Sequence, residues 1–492
     1  MILSKSQFVK GVKCPKLLWY LKKGDLPVPE TDERQEALYE EGVDVGKLAR
    51  GLFPGGREVT FDPDDFPGMI RKTRAWIDAG VPIIYEAAAQ AKGGFAMADI
   101  LRRGPYGWEL YEVKATGSVK DYHLYDAGFQ YRVFKDFGLN LAKVAIVHID
   151  TRYVRRGELE LEELFTIEDI TFSVIDLQDE IEAIYCYLAQ VLNGDEPAVD
   201  IGPHCERFFG CEYAEICWSH VPEHSVFNLY RYPWSERFNL YYRGIMRIED
   251  LPESFRPNFI QSLQIEAERT GRAMVDQKAI RAFISNLRFP LNFLDFETFA
   301  EAVPRFDGQR PYQQIPFQYS LHILHEDGLL EHREFLADET RDPRPDFIAH
   351  LLEDVTPEGS IVAFNQKFEI ARIRELSAYD PSRSSELLRL TRRFADPLTL
   401  FRKGAYYHPD FNGSFSLKSV LPALFPDDPD LSYKKLEIQE GGTASEIYAA
   451  LHRIKDPVAR EKIRADLLAY CKLDTYAMVR IYMLLKELSG RP

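Results

Sequence analysis

The sequence holds no stretch approaching the ~20 consecutive apolar residues that a membrane-spanning helix requires. Its opening, MILSKSQFVKGVKCPKLLWYLKK, also lacks the continuous apolar core of an export signal. A cytoplasmic protein with no membrane partner is expected. Basic charge is in deficit: 61 Lys and Arg stand against 77 Asp and Glu, a formal charge of −16 that argues against coating nucleic acid by bulk attraction. Local basic clefts remain open to it. Arg102-Arg103, Arg152 with Arg155-Arg156, and Arg389 with Arg392-Arg393 could contact phosphate, although each reads first as a solvated face. Cysteine is sparse, at six residues, and in a reducing compartment a pattern among them points to metal rather than to disulfides. There is no P-loop. Residues 42–47 come nearest, but the glycine spacing is short and Leu48 stands where a magnesium-binding Ser or Thr belongs. A helicase motor motif is also missing, so any unwinding falls to a separate protein.

What is there resembles an ordinary globular composition, 45% hydrophobic and 28% charged. At 492 residues the chain exceeds what one core serves, and two domains are expected. Residues 1–50 read as helical, with Leu17, Leu18, Trp19 and Leu21 clustered before a turn at 24–27 and a charged helix running through Tyr39 and Leu48. Strand-like runs follow at 82–85, 94–101, 108–115 and 143–149, around a helix at 124–137. A cysteine-rich segment at 204–220 ends this part. An apolar strand at 289–296 opens a second α/β unit. The expected division is 1–222, a helical connector over 223–286, and 287–492. Within the connector, Gly244-Ile245 sits between two short helices, as a structural turn or a helix-hairpin-helix contact with phosphate.

Three constellations carry chemistry. In FAMADILRRGPYGWELYEVKAT, a hairpin puts Asp99 on one strand and Glu112 with Lys114 on the next, and the strand period of two aims Glu112 and Lys114 to one side. Two carboxylates can hold Mg²⁺ while a lysine supports the attacking water and the phosphate charge. A surface ion pair is the plainer reading of the motif taken alone. Glu86 offers a further carboxylate, and Gln130-Tyr131 follows on a helix. This order, Asp then Glu-x-Lys then Gln-Tyr, resembles the RecB-like branch of the PD-(D/E)xK nucleases. The resemblance implies a restriction-endonuclease-like core in which Gln130 helps place substrate or water. That branch often has a metal-binding histidine after a glycine on an early helix. EEGVDVGKLAR offers Gly46 there, leaving Glu41 or Glu86 as substitutes, or a weakened site.

The second constellation is Cys14 with Cys205, Cys211 and Cys217, the last three having five residues between successive members. On spacing alone, four thiolates suit zinc or a 4Fe-4S cluster alike. The layout resembles the iron-sulfur nucleases of the same branch, the CRISPR-associated and AddB-type members. This implies a 4Fe-4S cluster closing residues 1–220 end to end. Cys186 and Cys471 lie in helical patterns with apolar neighbours and are expected in the core.

The third is PLNFLDFETF, whose Asp295 and Glu297 share one face of an apolar strand. SIVAFNQKFEIARIREL follows, with Asn365 and Glu369 expected one helical turn apart. An amphipathic C-terminal helix then places Tyr470 and Asp474 at i and i+4. The set resembles the tyrosine branch of the DEDD exonucleases, which have an RNase H-like fold. That implies two Mg²⁺ or Mn²⁺ ions on Asp295, Glu297, Glu369 and Asp474, with Tyr470 acting on the water. Glu369 departs from the usual Asp, and Asp396 is either a compensating ligand or a structural cap. Phe296, Phe299 and Tyr406-Tyr407 are candidates for base stacking, with core packing explaining Phe296 equally well.

Together these imply a two-module, metal-dependent nuclease trimming nucleic-acid ends or single strands, DNA above all, in repair, recombination or defence, beside a helicase or similar partner. The alternatives are a nucleic-acid-binding scaffold with one inactive site and an RNA-trimming 3′-5′ exonuclease.

Overall fold

The computed structural model describes residues 2–24, 26 and 33–490, so Asp25 and Pro27 of the expected 24–27 turn lie outside the described residues. The chain is mixed α/β. Its contacts divide it into two units. One comprises residues 1–220 with 301–312, the other 221–300 with 313–492. The segment 223–286 therefore groups with the second sheet instead of standing apart, and a short stretch of the C-terminal sequence belongs to the first unit. There Ala302 is wholly buried beside Val45 and Ala49, and its N–H donates to Glu41 Oε1 at 2.7 Å.

The first unit is built on seven strands: β1 (Leu3–Ser4), β2 (Arg57–Glu58), β3 (Ile83–Ala91), β4 (Gly94–Arg103), β5 (Trp108–Lys114), β6 (Leu141–Ile149) and β7 (Phe165–Asp169). They run in the order β2-β3-β4-β5-β6-β7, with β1 joining β4. β3, β4 and β5 are antiparallel, and β5 to β6 is parallel. The helix Asp121–Asp136 packs Ala127, Phe129, Val133 and Phe134 into the core on one side of this sheet. β1 is two residues long, yet its parallel register, Leu3 with Gly94 and Ser4 with Phe95, fixes where the first helix begins. Ser4 then caps that helix, Lys5–Lys13, in a reciprocal box with Gln7.

The second unit holds a five-stranded sheet ordered β11-β10-β9-β12-β13 and a small pair, β8 (Met274–Val275) with β14 (Tyr406–Tyr407). β9 (Leu291–Phe299), β10 (Ile315–Leu324) and β11 (Leu330–Leu336) are antiparallel, whereas β12 (Ile361–Val362) and β13 (Phe394–Ala395) continue parallel to β9. β10 is buried along its whole length, because the helix Pro457–Leu488 covers the sheet on one side and Phe347, Ile348 and Leu351 pack on the other. Gly244 adopts φ 77° after the helix Trp234–Tyr242, and the N–H groups of Gly244 and Ile245 return to the carbonyls of Tyr241 and Leu240. This is a helix stop, and the second expected short helix is a single 3₁₀ turn at Ile248–Asp250.

One glycine holds the central register. Gly359 sits at φ 88° just before β12, where an added Cβ would lie 2.0 Å from the Pro290 carbonyl oxygen. Only glycine tolerates both the dihedral and the approach that bring β12 alongside β9. Gly359→Ala should therefore lower the unfolding free energy by about 2 kcal/mol or more. Urea denaturation followed by circular dichroism measures it, and an unchanged midpoint would show that the turn adapts.

Candidate functional site

The structure gathers the three constellations into three separate places. In the first unit, the β4–β5 pairing sets Asp99 beside Glu112, and Asp99 Oδ2 accepts the Val113 N–H at 2.6 Å. Glu112 is 1% exposed. Its Oε1 accepts from Lys114 Nζ at 2.8 Å and from Lys5 Nζ at 2.6 Å, while Oε2 accepts from Gln130 Nε2 at 2.7 Å. Lys114 also reaches Asp126 Oδ2 at 2.6 Å. Asp99, Glu112, Lys114 and Gln130 are thus assembled as one cluster. Glu86 lines the cleft beside them, its Oε1 accepting from Arg50 Nη2 at 2.9 Å. Glu41 is engaged with the Ala302 backbone, and Gly46 lines the same cleft with open space around it.

Burial and the neighbouring Glu112 push the Asp99 carboxyl up to about 7. Burial acts the same way on Glu112, but the ammonium groups of Lys114 and Lys5 outweigh it and hold its carboxyl well below the usual range. Lys5 and Asp126 are participants that the local sequence pattern did not single out. Asp126 lies one helical turn before Gln130, a spacing that could have revealed it. Nothing around Lys5 could.

The four cysteines line a single cavity, together with His204. Cys14 separates the helices Lys5–Lys13 and Pro15–Lys23, while Cys205 comes from the 3₁₀ turn Pro203–Glu206, Cys217 from the short helix Ala214–Trp218 and Cys211 from the loop between them. Burial raises the thiols of Cys211 and Cys217. It works against a thiolate at Cys14 too, but hydrogen bonds from His204 and from the backbone at Leu17 and Lys16 bring that thiol below its usual value. Among the described residues, no three of these sulfurs lie within 4.8 Å of one another. Four thiols around one cavity are a donor set that suits a metal ion or a cluster. Cys186 departs from expectation. It is exposed on the helix Gln178–Asn193 and points its thiol at Glu182, because the buried face of that helix is carried by Ile181, Leu188 and Leu192. Cys471 is buried as expected.

In the second unit, Asp295 and Glu297 stand on β9, opposite Ser320 and Gln318 of β10. Tyr470 and Asp474 share a face of the helix Pro457–Leu488 and line the same cleft. Glu369 lies in the first turn of the helix Lys367–Tyr379, 2% exposed and set back from the cleft wall, with its Oε2 buried and without a hydrogen-bond partner. Asn365 precedes that helix in a left-handed conformation at φ 78°, so the expected helical spacing from Asn365 to Glu369 does not occur. Asp396 Oδ1 accepts the N–H groups of Asn365 and Leu398 at 3.1 and 2.9 Å, the contacts of a structural cap.

Among the described residues, none of Asp295, Glu297, Glu369 and Asp474 is within ion-pair distance of a Lys or Arg. Burial and mutual repulsion raise Asp295 and Glu297 well above the carboxylate range. Burial raises Glu369 to about 8 and Asp474 to about 6. Asp295, Glu297 and Cys471 offer ligand atoms within 4.8 Å of one another, and Cys471 Sγ lies 3.9 Å from Asp295 Oδ2. An orphaned carboxylate oxygen and uncompensated buried acids fit a divalent cation.

Two further groups border this cleft. Tyr433 donates to Asp474 Oδ1, and Lys418 Nζ sits 5.6 Å from the Tyr470 ring and 5.7 Å from that of Tyr433. The aromatic candidates divide. Phe299 and Tyr407 are wholly buried and Tyr406 nearly so, whereas Phe296 packs edge-on against Phe347 and also lines the cleft. Phe364 and Phe368, half-buried, face the cleft with it. Of the arginine clusters, Arg155 and Arg393 are spent on backbone carbonyls of Pro304, Gly359 and Thr356.

These acids set a pH dependence. Unfolded carboxylates ionise near pH 4, whereas folded Asp474 and Glu369 hold protons up to about 6 and 8. The native state then binds more protons than the unfolded one, so metal-free stability falls as pH rises through this window. A divalent ion competes with those protons. Millimolar Mn²⁺ should raise the melting temperature more at pH 8 than at pH 6, by calorimetry, and Asp295→Asn should remove the difference. No helix among the described residues is long and apolar enough to cross a membrane. A family model described as a domain of unknown function, DUF2779, matches residues 292–416, from the start of β9 to the loop before the helix Leu417–Leu424. No curated protein matches the chain.

Proposed function

We propose that this protein is a metal-dependent nuclease that trims nucleic-acid ends, DNA foremost, and that its hydrolytic site is the acidic cleft of the C-terminal unit, with 3′-5′ polarity. One observation carries the reading: among the described residues no Lys or Arg pairs with Asp295, Glu297 or Asp474, which line one cleft, or with the buried Glu369 set back from it. Asp295, Glu297, Glu369 and Asp474 would hold Mg²⁺ or Mn²⁺, which supplies positive charge to the scissile phosphate and makes water acidic. The chain's own residues do the rest. Tyr433 fixes the Asp474 carboxylate by its hydrogen bond. Tyr470 lines the cleft with the same acids, and its hydroxyl would orient the attacking water. Lys418 adds a positive charge at the rim without pairing with the acids, and Phe364 and Phe368 offer faces for terminal bases.

For the first unit the proposal is a RecB-like module stapled by a 4Fe-4S cluster on Cys14, Cys205, Cys211 and Cys217. The scaffold reading, with one inactive site, is favoured there by a single observation: the Glu112 carboxylate is already saturated by Lys5, Lys114 and Gln130.

Two measurements test these readings. End-labelled single- and double-stranded DNA and RNA should be shortened from the 3′ end with Mg²⁺ or Mn²⁺. Asp474→Ala should lose both cleavage and metal affinity, while Tyr470→Phe keeps metal binding and loses roughly 10²-fold in turnover. Full activity in both variants would place the chemistry elsewhere. Separately, anaerobically purified protein should contain iron and acid-labile sulfide, and Cys14→Ser should lose both and unfold the first unit at lower temperature. Zinc at one equivalent without sulfide would reject the cluster.

A further inference from the structure

The carboxylates of the first unit are not waiting for a cation. Lys5 Nζ lies 2.6 Å from Glu112 Oε1 and 4.0 Å from Asp99 Oδ1, bridging the two acids that the motif would offer to a divalent ion. A Mg²⁺ or Mn²⁺ bound to Glu112 would need an oxygen at about 2.0–2.2 Å. Both Glu112 oxygens are taken, Oε1 by the ammonium groups of Lys5 and Lys114 and Oε2 by the Gln130 amide. Asp99 retains one oxygen clear of the Val113 N–H, and that oxygen faces Lys5. The remaining acids are matched as well, Asp126 by Lys114 and Glu86 by Arg50.

Lys5 is held there by the fold. The parallel pairing of Leu3 and Ser4 with Gly94 and Phe95 places the helix start on the strand that carries Asp99. The Ser4–Gln7 capping box makes Lys5 the first helical residue, and Leu3 beneath it is wholly buried. The ammonium is therefore not at the end of a loose tail. Asp295, Glu297, Glu369 and Asp474 of the second unit show the contrast, having no Lys or Arg ion-pair partner among the described residues.

We propose that Lys5 is a built-in counter-cation that closes the Asp99–Glu112 pair to divalent metal. The motif's carboxylates are thereby retained as a structural ion cluster, and metal binding is left to the second unit. That last clause rests on the function proposed above, but the closure by Lys5 does not.

The test uses the full chain with Asp295→Asn and Glu297→Gln, so that the second site cannot contribute. Mn²⁺ binding is followed by the electron paramagnetic resonance of the free ion. With Lys5 present, no Mn²⁺ should bind in a manner that Asp99→Asn abolishes. Lys5→Met, which keeps the stem and removes the charge, should create one such site with at least a tenfold gain in affinity, and Asp99→Asn should erase it. Circular dichroism checks the fold, and Lys5→Gln replaces Lys5→Met if the latter does not fold. Asp99-dependent Mn²⁺ binding with Lys5 intact, with or without an oligonucleotide, would overturn the proposal. So would a folded Lys5 variant that gains no site. Failure of the exonuclease reading would instead appear as unchanged Mn²⁺ binding on removing Asp295 and Glu297 from the otherwise native chain, a result independent of Lys5.

Discussion

A carboxylate taken out of water has to be neutralised, and the charged interior of both units follows from how that is done. Desolvation costs several kcal/mol per ion in a protein interior. In the first unit the charge is met from within the chain: Glu112 accepts two ammonium groups and one amide, and its carboxyl is driven well below the usual range. In the second unit the same cost is met by protons, which is why Glu369 and Asp474 are raised to about 8 and 6. Fold elements are arranged around this difference. β9 carries two acids in an otherwise buried strand, and the helix Pro457–Leu488 brings a third against them while burying Leu467, Cys471 and Met478. Such a strand is tolerable only where a cation or protons are available.

A group bound in the cysteine cavity would answer a different demand, that of chain closure. Cys14 lies between the first two helices and its three partners follow residue 204, so a group bridging them joins the two ends of the unit. Closing so long a loop removes much of the freedom of the unfolded chain. Packing prepares the join: Leu17, Tyr20 and Tyr213 are buried around Cys14, and Lys13 donates to the carbonyls of Phe209 and Gly210. The backbone is thus brought together by apolar contact and hydrogen bonds before any group is bound. The thiol environments then divide, Cys14 being favoured as thiolate by His204 while burial disfavours it at Cys211 and Cys217.

What could be read in the sequence was whatever is encoded over a few residues. The period of two placed Glu112 beside Lys114, a turn between apolar runs placed Asp99 on the adjoining strand, and the i, i+4 spacing placed Tyr470 with Asp474. Contacts made by distant chain were not readable. Lys5 reaches Glu112 across 107 residues through a two-residue strand too short to carry a periodic signal. Tyr433 reaches Asp474 from a 3₁₀ turn, and Lys418 comes to the cleft rim from a short helix, neither tied to β9 by any pattern. Aromatic residues misled for a related reason, since Phe299, Tyr406 and Tyr407 have the composition of stacking platforms but bury their rings between elements. Cys186 misled in the opposite sense, because hydrophobic neighbours in sequence are spread around a helix and do not share its buried face.

Glu369 shows how these constraints meet at one residue. It stands in the first turn of its helix, where the helix dipole favours a carboxylate by about 0.3–1 kcal/mol at an exposed site. Burial decides otherwise, because it raises the carboxyl to about 8 and leaves Oε2 without a partner. The helix is entered through Asn365, whose left-handed backbone is held by Asp396, so its start cannot slide to bring the residue closer to β9. With the helix fixed and the residue set back from the cleft wall, the position of this carboxylate is set by where the helix begins, and its charge is met by a proton and not by a side-chain cation.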